Sequence, residues 1–242
     1  MLWRDEGVVL AVRRHGESAA IVSVLTREHG RYVGLVRAGF SRRSRATYQQ
    51  GNVLDLTWRA RLAEQLGALS GELKADLAAR LMVDPGRLAG LGAACSLLET
   101  ALPERDPHPH LYEALGALLA QLCDDPDWPE GYVRFEVALL AEIGFGLDLS
   151  RCAVTGSTTD LIYVSPRSGR AVSREGAGVY ADRLLPLPPF LLKRAPADAA
   201  QIAAGLRLTG TFLRRHLFDA SDRPLPEARD RLLARLARAT EQ

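Results

Sequence analysis

Residues 30–51 read GRYVGLVRAGFSRRSRATYQQG, and the rest of the chain is organised around them. The stretch opens as a short apolar run with strand character. The run passes into a Gly- and Ser-punctuated segment that carries Arg37, Arg42, Arg43 and Arg45 and no acidic residue. It closes on Tyr48, Gln49, Gln50 and the turn glycine Gly51. A connection this basic is not core. Its guanidinium groups repel one another unless an anion sits between them, and phosphate matches the planar donor fork of arginine. Clustered positive charge of this kind is the electrostatic footprint of a nucleic-acid contact, although basic loops are often only solvated surface.

Working outward, the flanking sequence is β. Glu6–Arg13 reads as a first strand and Ala19–Thr26 as a second, joined by the turn-rich Arg14-His-Gly-Glu-Ser18. Arg31–Arg37 is the third, Asn52–Ala60 the fourth and Leu66–Leu73 the fifth. Five strands in about 75 residues, with the longest connection between the third and fourth, fit a small closed barrel of OB type. Gly7, Gly16 and Gly34 suit the bulges and corners of such a barrel. Other small barrels, SH3-like ones among them, have similar strand counts, and pattern alone does not separate them.

From Leu77 the period becomes helical. Leu88, Leu91, Cys95, Leu98 and Leu102 share one face, behind an Asp84-Pro-Gly start and before Pro103. Leu111, Leu115, Leu118 and Leu122 mark a second helix that stops at Asp124-Asp-Pro126. A third runs from Pro129 to Gly144. Residues 147–183 break the pattern: Cys152-Ala-Val-Thr-Gly156, a hairpin-like Asp160–Ser165 and Ala171-Val-Ser173 make a small β insert, too small for a core of its own. Helices resume at Ala197–Leu206 and Leu208–Phe218. A last one, Glu227–Ala239, sets Arg231, Arg235 and Arg238 on one face. The expected organisation is thus α+β: an OB-type domain over 1–78, a helical domain over 79–147 and 184–242, and the insert over 148–183.

Composition bounds the function. The chain has 242 residues, 47% of them hydrophobic, and a net charge of +2, enough for a sizeable core. The charge is uneven. Residues 1–61 hold 11 arginines against 5 acids, and residues 190–242 hold 10 basic against 6 acidic groups, so the two ends attract a polyanion and the middle does not. Lys74 and Lys193 are the only lysines, so the choice of Arg over Lys reflects composition and only the location of the charge is informative. No apolar run reaches a membrane span, the N-terminus lacks the pattern of a signal peptide, and three scattered cysteines form no disulfide framework. The chain is expected to be cytoplasmic. Cys95 and Cys123 read as buried small hydrophobes, and His108 and His110 lack further ligands for a metal. No phosphate-binding Gly-Lys loop, dinucleotide fingerprint or His-Glu-x-x-His is present, so an enzyme is not expected.

Several short pieces then fall in a telling order. Gly7-Val-Val-Leu10, the Gly16-Glu17-Ser18 turn, Val24–Gly30, the basic Gly39–Ser44 and Tyr48-Gln-Gln-Gly-Asn52 occur in the sequence found in RecO, a family of bacterial recombination mediators, and the chain resembles that family over its whole length. The resemblance implies an OB barrel, a helical domain and a small inserted zinc ribbon. It departs at the ribbon. The family often carries Cys-x-x-Cys twice, whereas here Cys152 is followed by Thr155, and the second pair falls at Ser173 and Gly176. Cys152 is then the lone remnant of four ligands, and the ribbon is expected without metal or any other cofactor, held by Ile162, Tyr163, Val164 and Val172.

What the resemblance implies for function is binding of single- and double-stranded DNA and annealing of complementary strands without ATP. With RecR, such proteins help RecA onto DNA coated by the single-strand binding protein SSB, in the bacterial cytoplasm and on the nucleoid during repair. An OB barrel offers single strands a basic groove with aromatics for stacking. The expected phosphate contacts are Arg14, Arg31, Arg37, Arg42, Arg43 and Arg45, with Tyr32 or Tyr48 as stacking partners and Arg215, Arg231 and Arg235 as a second, duplex-binding surface. Two alternatives remain at this point: a barrel that binds a protein partner as an adaptor, and an RNA-binding barrel, since phosphate contacts do not read the 2′-OH.

Overall fold

Five strands close on themselves. In the computed structural model, which describes residues 1–62, 64–193, 195–218 and 224–239 (the Arg43 and Ala239 side chains excepted), β1 (Leu2–His15), β2 (Ala19–Thr26), β3 (Gly30–Val36), β4 (Val53–Arg59) and β5 (Gly67–Ala75) form a closed barrel in the order β1-β2-β3-β5-β4. This is the OB arrangement. All pairings are antiparallel except β3 with β5, which meet at Gly34↔Gly67. Both glycines are needed at that seam. A Cβ on Gly34 would stand 2.7 Å from Leu69 Cβ, and one on Gly67 would lie 2.2 Å from the Trp58 ring.

β1 begins four residues before its expected start, and the reason is the barrel itself. Leu2 to Val8 pair with β4, whereas Gly7 to His15 pair with β2 across a bulge between Val9 and Ala11. One long strand therefore serves two neighbours, which closes the sheet. The mixed polarity of Leu2-Trp-Arg-Asp5 hides this first half, because alternation signals a half-buried strand only where one face is apolar. Val9, Val22, Val24, Leu54, Leu56, Trp58 and Leu69 fill the interior.

α1 (Arg42–Thr47) lies between β3 and β4, inside the basic stretch. After β5 come α2 (Leu77–Leu81), α3 (Pro85–Ala101) and α4 (Pro109–Asp124). The Asp84 side chain caps α3 by accepting from the Gly86 and Arg87 amides, with Pro85 at the first helical position. One compact unit comprises Met1–Asp124 and Pro226–Arg229, and the other comprises Asp125–Leu225 and Asp230–Gln242.

The second unit holds α5 (Trp128–Glu142), a three-stranded sheet of β6 (Leu161–Val164), β7 (Ala171–Ser173) and β8 (Leu185–Pro186) in the order β7-β6-β8, the short α6 (Arg174–Ala177), and α7 (Ala199–Leu213). α8 (Glu227–Ala239) follows. In the sheet Val164 and Val172 are buried, while Ile162 and Tyr163 are half-buried. Two helices expected over residues 197–218 are one. α7 runs unbroken past Arg207 and opens into a wide π turn over Arg214–Phe218. A Cβ on Gly205 would lie 2.9 Å from Val133 Cγ1, so the glycine lets α7 approach α5 closely. Thr209 fastens the pair through a hydroxyl hydrogen bond to the Glu136 carboxylate.

Candidate nucleic-acid interface

The basic stretch is a fixed platform on the barrel. As β3 ends, the Gly39 amide donates to the Val36 carbonyl and the Phe40 amide to the Ser18 carbonyl at 3.1 Å. Gly39 presses against β2, since a Cβ there would fall 2.4 Å from Ala20 Cβ. Ser41 then caps α1 by accepting from the Ser44 amide. The segment expected as a loop is therefore a capped helical turn.

The residues after α1 hold it down. The Tyr48 hydroxyl accepts from the Gly71 amide on β5 at 2.8 Å, and burial raises the Tyr48 pKa, with the Gly71 amide opposing. Gln50 Nε2 donates to the Leu10 carbonyl of β1, and Gly51 takes φ +90° with Leu91 against it. Asn52, fully buried, donates through Nδ2 to the carbonyls of Ala46 and Thr47 at 2.9 and 3.2 Å and accepts through Oδ1 from the Ala78 amide at 3.0 Å. Each residue of Tyr48-Gln-Gln-Gly-Asn52 apart from Gln49 thus has an identified structural task.

Two arginines converge on Phe40. Arg14, at the end of β1, donates from Nε and Nη2 to the Gly16 and Glu17 carbonyls at 3.3 and 2.9 Å, which fixes its side chain along the β1–β2 turn. Its guanidinium carbon is 5.7 Å from the Phe40 ring centroid, and that of Arg45 is also 5.7 Å away, both within cation–π range. Arg14, Arg37, Arg42 and Arg45 are exposed, and none of the four forms an ion pair among the described residues. The Arg43 side chain lies outside the described residues. Sequence reasoning passed over Phe40, although it is the only aromatic residue between Arg37 and Arg45.

Three of the expected contacts, Arg31, Tyr32 and Tyr48, lie in paired or enclosed positions. Arg31 is only 13% exposed at its side chain and faces Glu99 and Glu104 at 3.7 and 3.6 Å, while its Nε donates to the Leu102 carbonyl. It ties β3 to the end of α3, and its charge is already matched. Tyr32 and Tyr48 are each 8% exposed and belong to the barrel core. Tyr32 packs edge-on to Trp3 and Trp58, with Arg105 over its ring. Rings enclosed in this way offer no face to a base. In the second unit Arg231 and Arg235 are exposed on α8, and Arg215 is exposed with Nη1 donating to the Pro166 carbonyl at 2.9 Å.

The four ribbon positions meet at one point. Cys152 Sγ accepts from the Val154 and Thr155 amides at 3.4 Å and from the Ser173 amide and hydroxyl at 3.2 and 3.3 Å. Thr155 Oγ1 is 3.4 Å from Ser173 Oγ, and the Ser173 hydroxyl also accepts from the Gly176 amide. Burial pushes the thiol pKa up, but the hydrogen bonds from Ser173 and Thr155 outweigh it and bring the pKa to about 6. One thiol, two hydroxyls and a glycine are not a donor set for zinc, which takes thiolate, imidazole or carboxylate. Hydrogen bonds converge on the sulfur instead.

With this geometry in hand, similarity decides the family. Residues 1–75 match the family described as Recombination protein O N terminal, and residues 82–223 match Recombination protein O C terminal. The chain belongs to the RecO family. A protein named DNA repair protein RecO from Cereibacter sphaeroides is 55% identical over 240 residues, covering 99% of this chain and all of that protein. Proteins of the same name from Ruegeria sp. and Rhodospirillum rubrum are each 50% identical, over 98% of this chain and 99% and 96% of theirs. RecO membership therefore spans both units. Among the described residues, no helix is long and apolar enough to cross a membrane.

Proposed function

We propose that this chain acts in bacterial DNA repair as a recombination mediator. It binds single- and double-stranded DNA, anneals complementary strands without ATP and, together with RecR, promotes loading of RecA on single strands coated with SSB. Its work is binding and not catalysis, and it takes place in the cytoplasm on DNA under repair. One observation supports the DNA reading most: Arg14 and Arg45 both lie over Phe40, with Arg37 and Arg42 exposed nearby and no carboxylate paired to any of them among the described residues. Unmatched guanidinium groups on a fixed platform present phosphate donors without reorganisation. Phe40 gathers the Arg14 and Arg45 guanidinium groups at one ring, so that the two charges are presented together.

Annealing follows from the same electrostatics, because bringing two strands together requires their phosphate repulsion to be neutralised. The test is annealing of complementary oligonucleotides without nucleotide cofactor. The wild-type chain accelerates it, and a variant with Arg14, Arg37, Arg42 and Arg45 changed to Ala is much slower. Adding RecR and SSB-coated DNA to both then reads the mediator step. An adaptor that does not touch DNA would leave the annealing rate at its spontaneous value with either chain.

A further inference from the structure

A second aromatic and basic cluster lies wholly in the second unit. α5 ends at Glu142, Gly144 just beyond it turns the chain with a φ of +86°, and the Phe145 amide closes back on the Leu140 carbonyl at 2.8 Å. Phe145 is thereby held out from the helix end, 40% exposed. The His216 ring stacks on it at 4.1 Å with planes 15° apart, and Phe212 lies 6.2 Å beyond His216 at 6°. The three rings form one near-parallel column that starts at buried Phe212 and ends at exposed Phe145.

Cations share the surface on which that column opens. The Asp148 amide donates to the Gly169 carbonyl, and Arg215 reaches the Pro166 carbonyl. The 145–148 loop, the 166–170 turn and the π turn after α7 are therefore one surface. Arg167, Arg214 and Arg215 are exposed on it without a carboxylate partner among the described residues, whereas Arg170 is matched by Asp148 at 3.4 Å. The wide π turn, a feature frequent at functional sites, places His216 in the column while Arg214 and Arg215 stay in solvent.

We propose that this surface is a second contact for single-stranded nucleic acid, where an unpaired base extends the Phe212–His216–Phe145 column and Arg167, Arg214 and Arg215 hold the neighbouring phosphates. An unpaired base is the ligand because a base inside a duplex has both faces covered, and stacking on an aromatic ring is indifferent to base identity. A second strand site gives one chain two places to hold the strands it anneals. The proposal rests on the reading that this chain binds DNA, and it concerns residues separate from the barrel platform.

The test uses the full chain, short oligothymidylate and the Phe145→Trp variant, since an exposed ring tolerates the larger side chain. Saturating oligonucleotide quenches the added tryptophan emission, beyond any change in the three native tryptophans of the unaltered chain. The quench persists when Arg14, Arg37, Arg42 and Arg45 are Ala, and it is lost when Arg167→Glu and Arg214→Glu are added. In the barrel-substituted background, Phe145→Ala weakens binding about tenfold, as for loss of one base stack. Binding seen by anisotropy with no added quench overturns the proposal, as does a quench indifferent to the charge reversals. Failure of the barrel reading looks different: the wild-type and barrel-substituted chains then bind alike.

Discussion

Arg14 and Arg45 lie over the same ring, each guanidinium carbon 5.7 Å from the centroid of Phe40. One comes from the end of β1 and the other from α1, so the ring joins the turn between the first two strands to the basic helix. At exposed sites each such contact contributes about 0.5–1 kcal/mol. Phe40→Ala removes both and should weaken single-strand binding about tenfold, and because the ring also packs against the barrel core it should lower the thermal midpoint by several degrees as well. Fluorescence anisotropy with a labelled oligonucleotide, beside a melting curve, checks both parts. Phe40→Tyr should keep most of the affinity, because it keeps the ring.

Asn52 is the hinge pin of that platform. Asn52→Ala leaves the Ala46 and Thr47 carbonyls and the Ala78 amide without their present partner. Buried polar groups left unsatisfied cost about 1–3 kcal/mol, so a clear fall in stability to urea is expected, accompanied by loss of DNA affinity as α1 loosens. A surface substitution such as Glu72→Ala should do neither.

The ribbon should be stable without metal. Purified chain should carry zinc far below one equivalent, and chelation should leave its thermal midpoint unchanged. Ser173→Ala removes the hydroxyl that donates to Cys152 Sγ and also bonds the Gly176 amide, so it should lower the midpoint by several degrees. Stoichiometric zinc by elemental analysis would contradict this account of the insert.

Much of this architecture is legible in sequence, and the exceptions have physical causes. The barrel shows because inward residues alternate with outward ones along β3 and β4, with β2 as a continuous apolar run beside them. The first half of β1 does not show, because Leu2 and Arg4 are both exposed at an end of the barrel. Charge marks the basic stretch as surface, yet charge is blind to partners in space: nothing near Arg31 in sequence announces Glu99 and Glu104. Tyr32 and Tyr48 carry the amphipathic signature of stacking residues, and the same signature suits a core tyrosine whose hydroxyl reaches an amide. Phe40 and Phe145 carry no sequence signal, because a lone aromatic among glycines and serines has no periodicity to read.

Acid stability should depend on Glu6. Its carboxylate pairs with Lys74, accepts from the Tyr112 hydroxyl at 2.8 Å and faces Arg27 at 3.7 Å. Lys74 and then Tyr112 hold its pKa below the ordinary glutamate value. A carboxylate depressed in the folded state stabilises fully above its unfolded pKa, and that stabilisation is lost as pH falls through the folded value. Glu6→Gln should therefore reduce stability at neutral pH and flatten the acid limb of a stability–pH curve measured with urea. Parallel acid limbs for the two chains would show that Glu6 is not the group responsible.

Whether the barrel arginines meet phosphate is read from a salt titration of single-strand binding. One phosphate at each of Arg14, Arg37, Arg42 and Arg45 contributes a log–log slope of roughly −3 in total, at about −0.7 per contact on single strands. The slope for the chain with all four changed to Ala should be shallower than that of the wild type by about this amount. Equal slopes for the two chains would mean that these four arginines do not meet phosphate.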